Sequence, residues 1–155
     1  MDRIAGIGEY IISNNREDIL KTYALASCVG VTAYSSKKRV AGMIHIALPT
    51  PKVDPNPAIR PGYYATTGIP LFFNKLCLEY GCNLNELKIN LYGGSSSINE
   101  DVFHIGKKNV AIIKKLLLDM KIYYDIDDTG GYISRTLFMN VETGEVKTIT
   151  HPIII

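Results

Sequence analysis

The chain is 155 residues long, 46% hydrophobic and 21% charged, with a formal net charge of +2. That length carries one domain, 1–155, with its own core, and so small a charge does not imply nucleic-acid binding, so no nucleic-acid partner is expected. No apolar run approaches the roughly 18 residues of a membrane span, no secretory leader is expected, and the 3 cysteines form no C-x-x-C pair, so a reducing, cytoplasmic setting without disulfides is expected.

Ile4–Ile12 reads as a first strand in which Gly6 and Gly8 permit a bend or a close backbone approach. Asn14–Asp18 is a turn, and Ile19–Tyr23 a short strand leading into Ala24-Leu25-Ala26-Ser27-Cys28. The apolar runs Val29–Tyr34 and Val40–Ile46 flank Ser35-Ser36-Lys37-Lys38-Arg39, the pattern of a hairpin. A long segment, Pro49–Gly62, holds most of the chain's 7 prolines and is either a substrate-facing flap or a semi-rigid connector. Tyr63–Tyr80 is expected to be helical, weakened by Gly68 and Pro70 and stopped by Gly81. Leu87–Tyr92 alternates as a strand and runs into Gly93-Gly94-Ser95-Ser96-Ser97, which lacks the lysine of a phosphate loop and reads as a tight turn. Ile105–Met120 is the clearest helix, with Val110, Ile113, Leu117 and Met120 on one face. Ile122–Ile126 reads as a strand, Asp127–Gly131 as a turn, and Ser134–Val141 with Val146–Ile149 as a closing hairpin. Strands outnumber helices, so the fold class is α+β.

Cys28 and His45 carry the chemical interest. Each alone has an ordinary reading, Cys28 as a small buried hydrophobe and His45 as a structural residue. Together, at the two ends of a hairpin, they are placed as nucleophile and base, because a thiol becomes nucleophilic only when something takes its proton. Such a pair needs a third group to fix the imidazole, and Thr22 is the candidate; the backbone N–H of Cys28 and a neighbour are candidates for an oxyanion hole. Cys77 and Cys82 are read as structural, His104 as a surface or capping residue, and His151 as part of an apolar tail with Ile153-Ile154-Ile155. No zinc or other metal spacing is present, and no cofactor is implied.

The chain also resembles a known family. Gly6-Ile7-Gly8-Glu9-Tyr10, Thr22 followed by Leu25-x-Ser27-Cys28, Gly42-Met43-x-His45 with Leu48-Pro49, Tyr64-Ala65, Gly93-Gly94, Ile105-Gly106-x-x-Asn109-Val110, Asp128-x-Gly130-Gly131 and Val141-Glu142-Thr143-Gly144 occur in the order and spacing of the chemoreceptor glutamine deamidases, CheD. The resemblance implies a three-layer α/β/β sandwich similar to the catalytic domain of the cytotoxic necrotizing factor toxins. It implies Cys28 as nucleophile, His45 as base, Thr22 as its orienting partner, and Ser27 and Tyr64 as substrate-binding residues. The implied reaction converts glutamines of chemoreceptor cytoplasmic helices to glutamate with release of ammonia, by a cytoplasmic monomer. The implied partner, besides the receptors, is a CheC-type phosphatase of phosphorylated CheY; a methylesterase activity is also attributed to the family.

Departures from the family pattern are Ala24 and Ala26 where glycine is common, Thr66 after Tyr64-Ala65, Ser95-Ser96-Ser97-Ile98 after the glycine pair, and Ser134-Arg135 in place of a Gly-Arg. They leave two further readings open. One is a binding module that regulates a CheC-type phosphatase with little catalysis; the other is a cysteine hydrolase of a different amide.

Overall fold

The computed structural model describes residues 1–51, 60–96 and 104–153. Two sheets and two helices make a mixed α+β domain. A five-stranded sheet runs in the order β2 (Tyr10–Ser13), β5 (Val40–Ile46), β4 (Val29–Ser35), β6 (Lys88–Gly93), β7 (Ile126–Thr129). A four-stranded sheet runs β1 (Asp2–Ile4), β3 (Ile19–Leu25), β8 (Ile133–Asn140), β9 (Val146–Pro152). The helices are α1 (Ala65–Leu78) and α2 (Ile105–Asp119).

Alternation along the central hairpin explains the layering. Side chains on a strand point alternately to opposite faces. In β5, Val40, Ile44 and Ile46 join one core cluster, which also contains Phe72, Phe73 and Leu76 of α1 and Ile113 and Leu117 of α2. The intervening Ala41 and Met43 join a second cluster with Leu20, Leu25, Leu137 and Met139 of the other sheet. Every residue of β5 is therefore buried, as a strand covered on both faces must be. Full burial of side chains such as Phe72 or Ile44 is worth about 1.5–3 kcal/mol each over exposure. Gly42 and Gly68 let the helix layer approach: a Cβ on Gly42 would meet the Phe72 ring at 2.8 Å, and one on Gly68 would meet Ile46 at 3.0 Å.

The hairpin β4–β5 forms as expected, antiparallel from Val29↔Ile46 to Ser35↔Val40. Two expectations are corrected. The Ile4–Ile12 strand is broken at Gly6–Glu9, so that β1 pairs with β3 in one sheet and β2 with β5 in the other; Gly8 makes that crossing with φ +79°. Ile122–Ile126 is not a strand: β7 begins at Ile126 and runs through Asp127–Thr129, which was read as a turn. Ile122 instead closes α2. Lys121 turns left-handed at φ 58°, its N–H donates to Leu118 O at 3.0 Å, and Ile122 N–H donates to Leu117 O at 2.8 Å. That is a Schellman stop, and its hydrophobic contact between Ile122 and Leu117 accounts for the apolar residue that resembled a strand start.

The closing hairpin extends further than expected, with His151 inside β9 and Ile153 N–H still bonded to Tyr132 O at 3.2 Å. His104 takes the N-cap position of α2. The centre of the proline segment (52–59), Ser97 and Ile98 of the serine segment, and the last two isoleucines lie outside the described residues.

Candidate active site

His45 lies on the inter-sheet side of β5, 2% exposed. Its backbone is held from both directions by the turn that breaks the first strand: Gly8 N–H donates to His45 O at 2.8 Å, and His45 N–H donates to Glu9 O at 3.0 Å. The turn is itself closed by Gly6 N–H on the Glu9 carboxylate at 2.7 Å and capped by Arg60 on Ile7 O at 2.7 Å.

Thr22, 0% exposed, reaches across from β3. Its hydroxyl oxygen is 2.7 Å from His45 Nδ1 and 2.7 Å from the carbonyl oxygen of Ala5. A carbonyl only accepts, so the Thr22 proton goes to Ala5 O, and the hydroxyl oxygen accepts from Nδ1–H. That sets the imidazole tautomer, with the proton on Nδ1 and the lone pair on Nε2. Nε2 is buried and has no hydrogen-bond partner among the described residues. Burial pushes His45 down from 6.5 to about 4, so the ring is neutral at pH 7.

Cys28 sits in the bend between β3 and β4, half-buried, against the inter-sheet core. The ladder pairs Gly30 with His45. The ladder ends at Val29↔Ile46, one residue short of Cys28, and Cys28 packs against the same inter-sheet cluster as Met43 of the His45 strand. Gly30, directly opposite His45, leaves no room for a side chain, since a Cβ there would meet Leu25 at 2.9 Å and Leu137 at 3.0 Å. Burial pushes the Cys28 thiol up, while its own backbone N–H pulls the other way.

The bend is fastened by its carbonyls. Ala26 O accepts from Ser95 N–H at 2.7 Å, Ser27 O from Asn109 Nδ2 at 2.9 Å, and Cys28 O from Gly94 N–H at 2.9 Å. Only glycine serves at position 93, where φ is +109° and a Cβ would run into Cys28 O. Ala24 stands at the β3 bulge between Thr22 and Leu25 with φ 55°, a left-handed conformation that glycine would take without strain.

Thr22 and His45 are thus in direct contact, and Cys28 shares their layer. Tyr64 is bridged to Leu48, three residues past His45, and forms the N-cap of α1, with its ring edge-on to Tyr63 at 5.2 Å. Ser27 immediately precedes Cys28 and is half-buried. Among the described residues neither the Ser27 nor the Tyr64 side chain bonds to Cys28 or His45.

Sequence reasoning gave no role to Asn109 or Arg135. Asn109 is the one polar residue on the buried stripe Gly106, Asn109, Ile113 and Leu117 of α2, a signal that was readable. Arg135, 3% exposed, donates to Ser95 Oγ at 2.9 Å, to Gly130 O at 3.0 Å and to Asp128 at 3.3 Å. No sequence spacing announces that knot.

A fold this specific, with an oriented histidine beside a tethered cysteine bend, has relatives. The family model described as CheD chemotactic sensory transduction matches residues 47–150. The chain belongs to the CheD family. It is 39% identical to the probable chemoreceptor glutamine deamidase CheD of Syntrophotalea carbinolica, covering 94% of this chain and 92% of the relative. It is 37% identical to the probable chemoreceptor glutamine deamidase CheD 1 of Syntrophus aciditrophicus, covering 94% and 91%. With the chemoreceptor glutamine deamidase CheD of Thermotoga maritima it shares 33% identity over 94% and 90% of the two chains. The family-model match begins just beyond His45, whereas these alignments extend over nearly the whole chain. Among the described residues of this CheD family member, no helix is long and apolar enough to cross a membrane.

Proposed function

We propose that this CheD family member is a cysteine-dependent protein-glutamine deamidase acting on cytoplasmic helices of chemoreceptors, as a monomer in the cytoplasm. The observation that carries the reading is the Ala5–Thr22–His45 relay, which leaves the Nε2 lone pair unpartnered on the face that Cys28 shares. On the same reading the helix–sheet–sheet layering is that of the cytotoxic necrotizing factor catalytic domain.

Cys28 Sγ attacks the side-chain carbonyl carbon of a glutamine as His45 Nε2 takes the thiol proton. The oxyanion is met by the Cys28 backbone N–H. The carbon–nitrogen bond then breaks, and Nε2–H protonates the departing nitrogen, which leaves as ammonia. Water, deprotonated by His45, attacks the thioester; glutamate forms and the proton returns to sulfur. Thr22 holds Nδ1 throughout and so stabilises the imidazolium. Ser27 and Tyr64 flank the two halves of the site and contact the substrate.

The departure at Ala24 does not argue against catalysis, because alanine there keeps the left-handed geometry a glycine would take. The test is mass spectrometry of a receptor cytoplasmic fragment incubated with the wild type and with Cys28→Ala. An amide-to-acid mass gain at defined glutamines with the wild type alone is the expected result. A Cys28→Ala protein that converts glutamine as fast as the wild type sinks the mechanism. No conversion by either, with tight binding to a CheC-type phosphatase, selects the binding-module reading.

A further inference from the structure

The ladder between β4 and β5 stops at Val29↔Ile46. The next pair would join Cys28 to Ala47, but there the backbones part. Ala47 N–H turns to Tyr63 O at 3.0 Å, and Cys28 O accepts from Gly94 N–H at 2.9 Å. Just past this fork a single side chain spans the gap. Asn109 Nδ2 donates one proton to Ser27 O at 2.9 Å and the other to Ala47 O at 3.0 Å. Both partners are carbonyls, so the nitrogen, not the oxygen, must face them.

We propose that Asn109 is a positioning residue, a clamp whose two amide protons set the separation between the Cys28 bend and the end of the His45 strand. This rests on the deamidase reading of Cys28 and His45. Three features support it. The amide group is planar, so its two N–H directions are fixed relative to each other, and the two carbonyls are held at one spacing. The residue is 0% exposed, and its helix is pressed onto the site: a Cβ on Gly106, one turn earlier, would collide with Ser95 O and Gly94 O. Finally, Asn109 Oδ1 is buried without a partner among the described residues. An apolar side chain would fill the place without burying that acceptor, so what the asparagine contributes is its pair of donors.

The experiment uses full-length Asn109→Asp and Asn109→Ala. Asp keeps the shape but turns an acceptor toward both carbonyls; Ala removes the donors. Three quantities are read: kcat and KM for glutamine conversion, the pH profile of Cys28 alkylation by iodoacetamide followed by peptide mass spectrometry, and the melting temperature. The clamp predicts a kcat lower by about tenfold or more with KM nearly unchanged, since small misplacement of reacting groups is costly. It also predicts an alkylation profile displaced in the direction that His45→Ala displaces it. Variants that melt lower yet keep the wild-type kcat and alkylation profile well below their melting temperature overturn it.

Alkylation needs no substrate, which separates the two ideas. A displaced profile in a protein whose wild type converts no glutamine supports the clamp and rejects the deamidase. An unchanged profile and kcat in a wild type that Cys28→Ala silences does the reverse. If neither variant folds, the wild type decides by nuclear magnetic resonance. Slow exchange of the Asn109 side-chain amide protons, with a shift on alkylation of Cys28, supports the clamp, and exchange at the rate of a free amide overturns it.

Discussion

At the scale of single residues, the depressed His45 governs how the protein responds to acid. The folded imidazole titrates at about 4, against 6.5 for the ordinary group. Between those values the unfolded chain binds a proton that the folded chain refuses. Stability from this group is therefore complete above about pH 6.5 and falls as the pH drops toward 4, by about 1.4 kcal/mol per unit and roughly 3 kcal/mol in all. Urea unfolding at pH 7 and pH 4.5 should show that loss in the wild type. His45→Gln, which cannot take up the proton, should show a shallower dependence; equal slopes in the two proteins would mean that His45 is not held neutral. On the deamidase reading, the same depression extends catalysis into acid. The acid limb of kcat/KM is expected near pH 4, well below the range of a free histidine, because the base stays unprotonated until then.

Ala24 belongs to the scale of elements, because it sets the bulge by which β3 delivers the chain to Cys28. Left-handed backbone costs a residue with a Cβ about 1–2 kcal/mol, and part of any gain from glycine is returned as chain entropy in the unfolded state. Ala24→Gly is thus expected to stabilise the fold by about 0.5–1 kcal/mol, read as a higher denaturant midpoint at constant slope. A lower midpoint would show that the bulge is relaxed as it stands.

Elements of this kind also show what was legible in the sequence. The β4–β5 hairpin was readable because apolar runs flank a polar turn, and with it the place of His45 opposite Gly30, two residues past Cys28. Thr22 was readable as a candidate from its place before the bend. The break at Gly6–Glu9 was not, because its cause is a backbone contact to His45 on a strand distant in sequence. Nor was Ala5, whose part in the relay is a carbonyl that any residue possesses. Ile122 misled because an apolar residue after a helix looks alike whether it starts a strand or closes a Schellman stop.

At the scale of the whole molecule, the question is what locks the two sheets together at the Cys28 end, where apolar packing gives way to loops. Arg135 belongs to β8 of the four-stranded sheet, yet its donors go to groups at the rim of the five-stranded one. They reach Ser95 Oγ at 2.9 Å, Gly130 O at 3.0 Å and the Asp128 carboxylate at 3.3 Å. Ser95 in turn donates from its hydroxyl to Ile133 O at 2.5 Å and from its backbone to Ala26 O at 2.7 Å. Ser95 and Arg135 are thus in direct contact between the two sheets. Arg135→Met keeps the apolar stem but strands several buried acceptors, and is expected to cost about 2–4 kcal/mol. Because Asp128 is partly exposed, the larger share of that loss comes from the backbone carbonyls and Ser95 rather than from the ion pair. A double-mutant cycle with Ser95→Ala isolates the contact: a coupling of about 1 kcal/mol or more is expected for a buried, charge-assisted bond. Full additivity would mean that the two side chains do not support each other, and that the Cys28 bend is held by Asn109 and the glycine pair without help from β8.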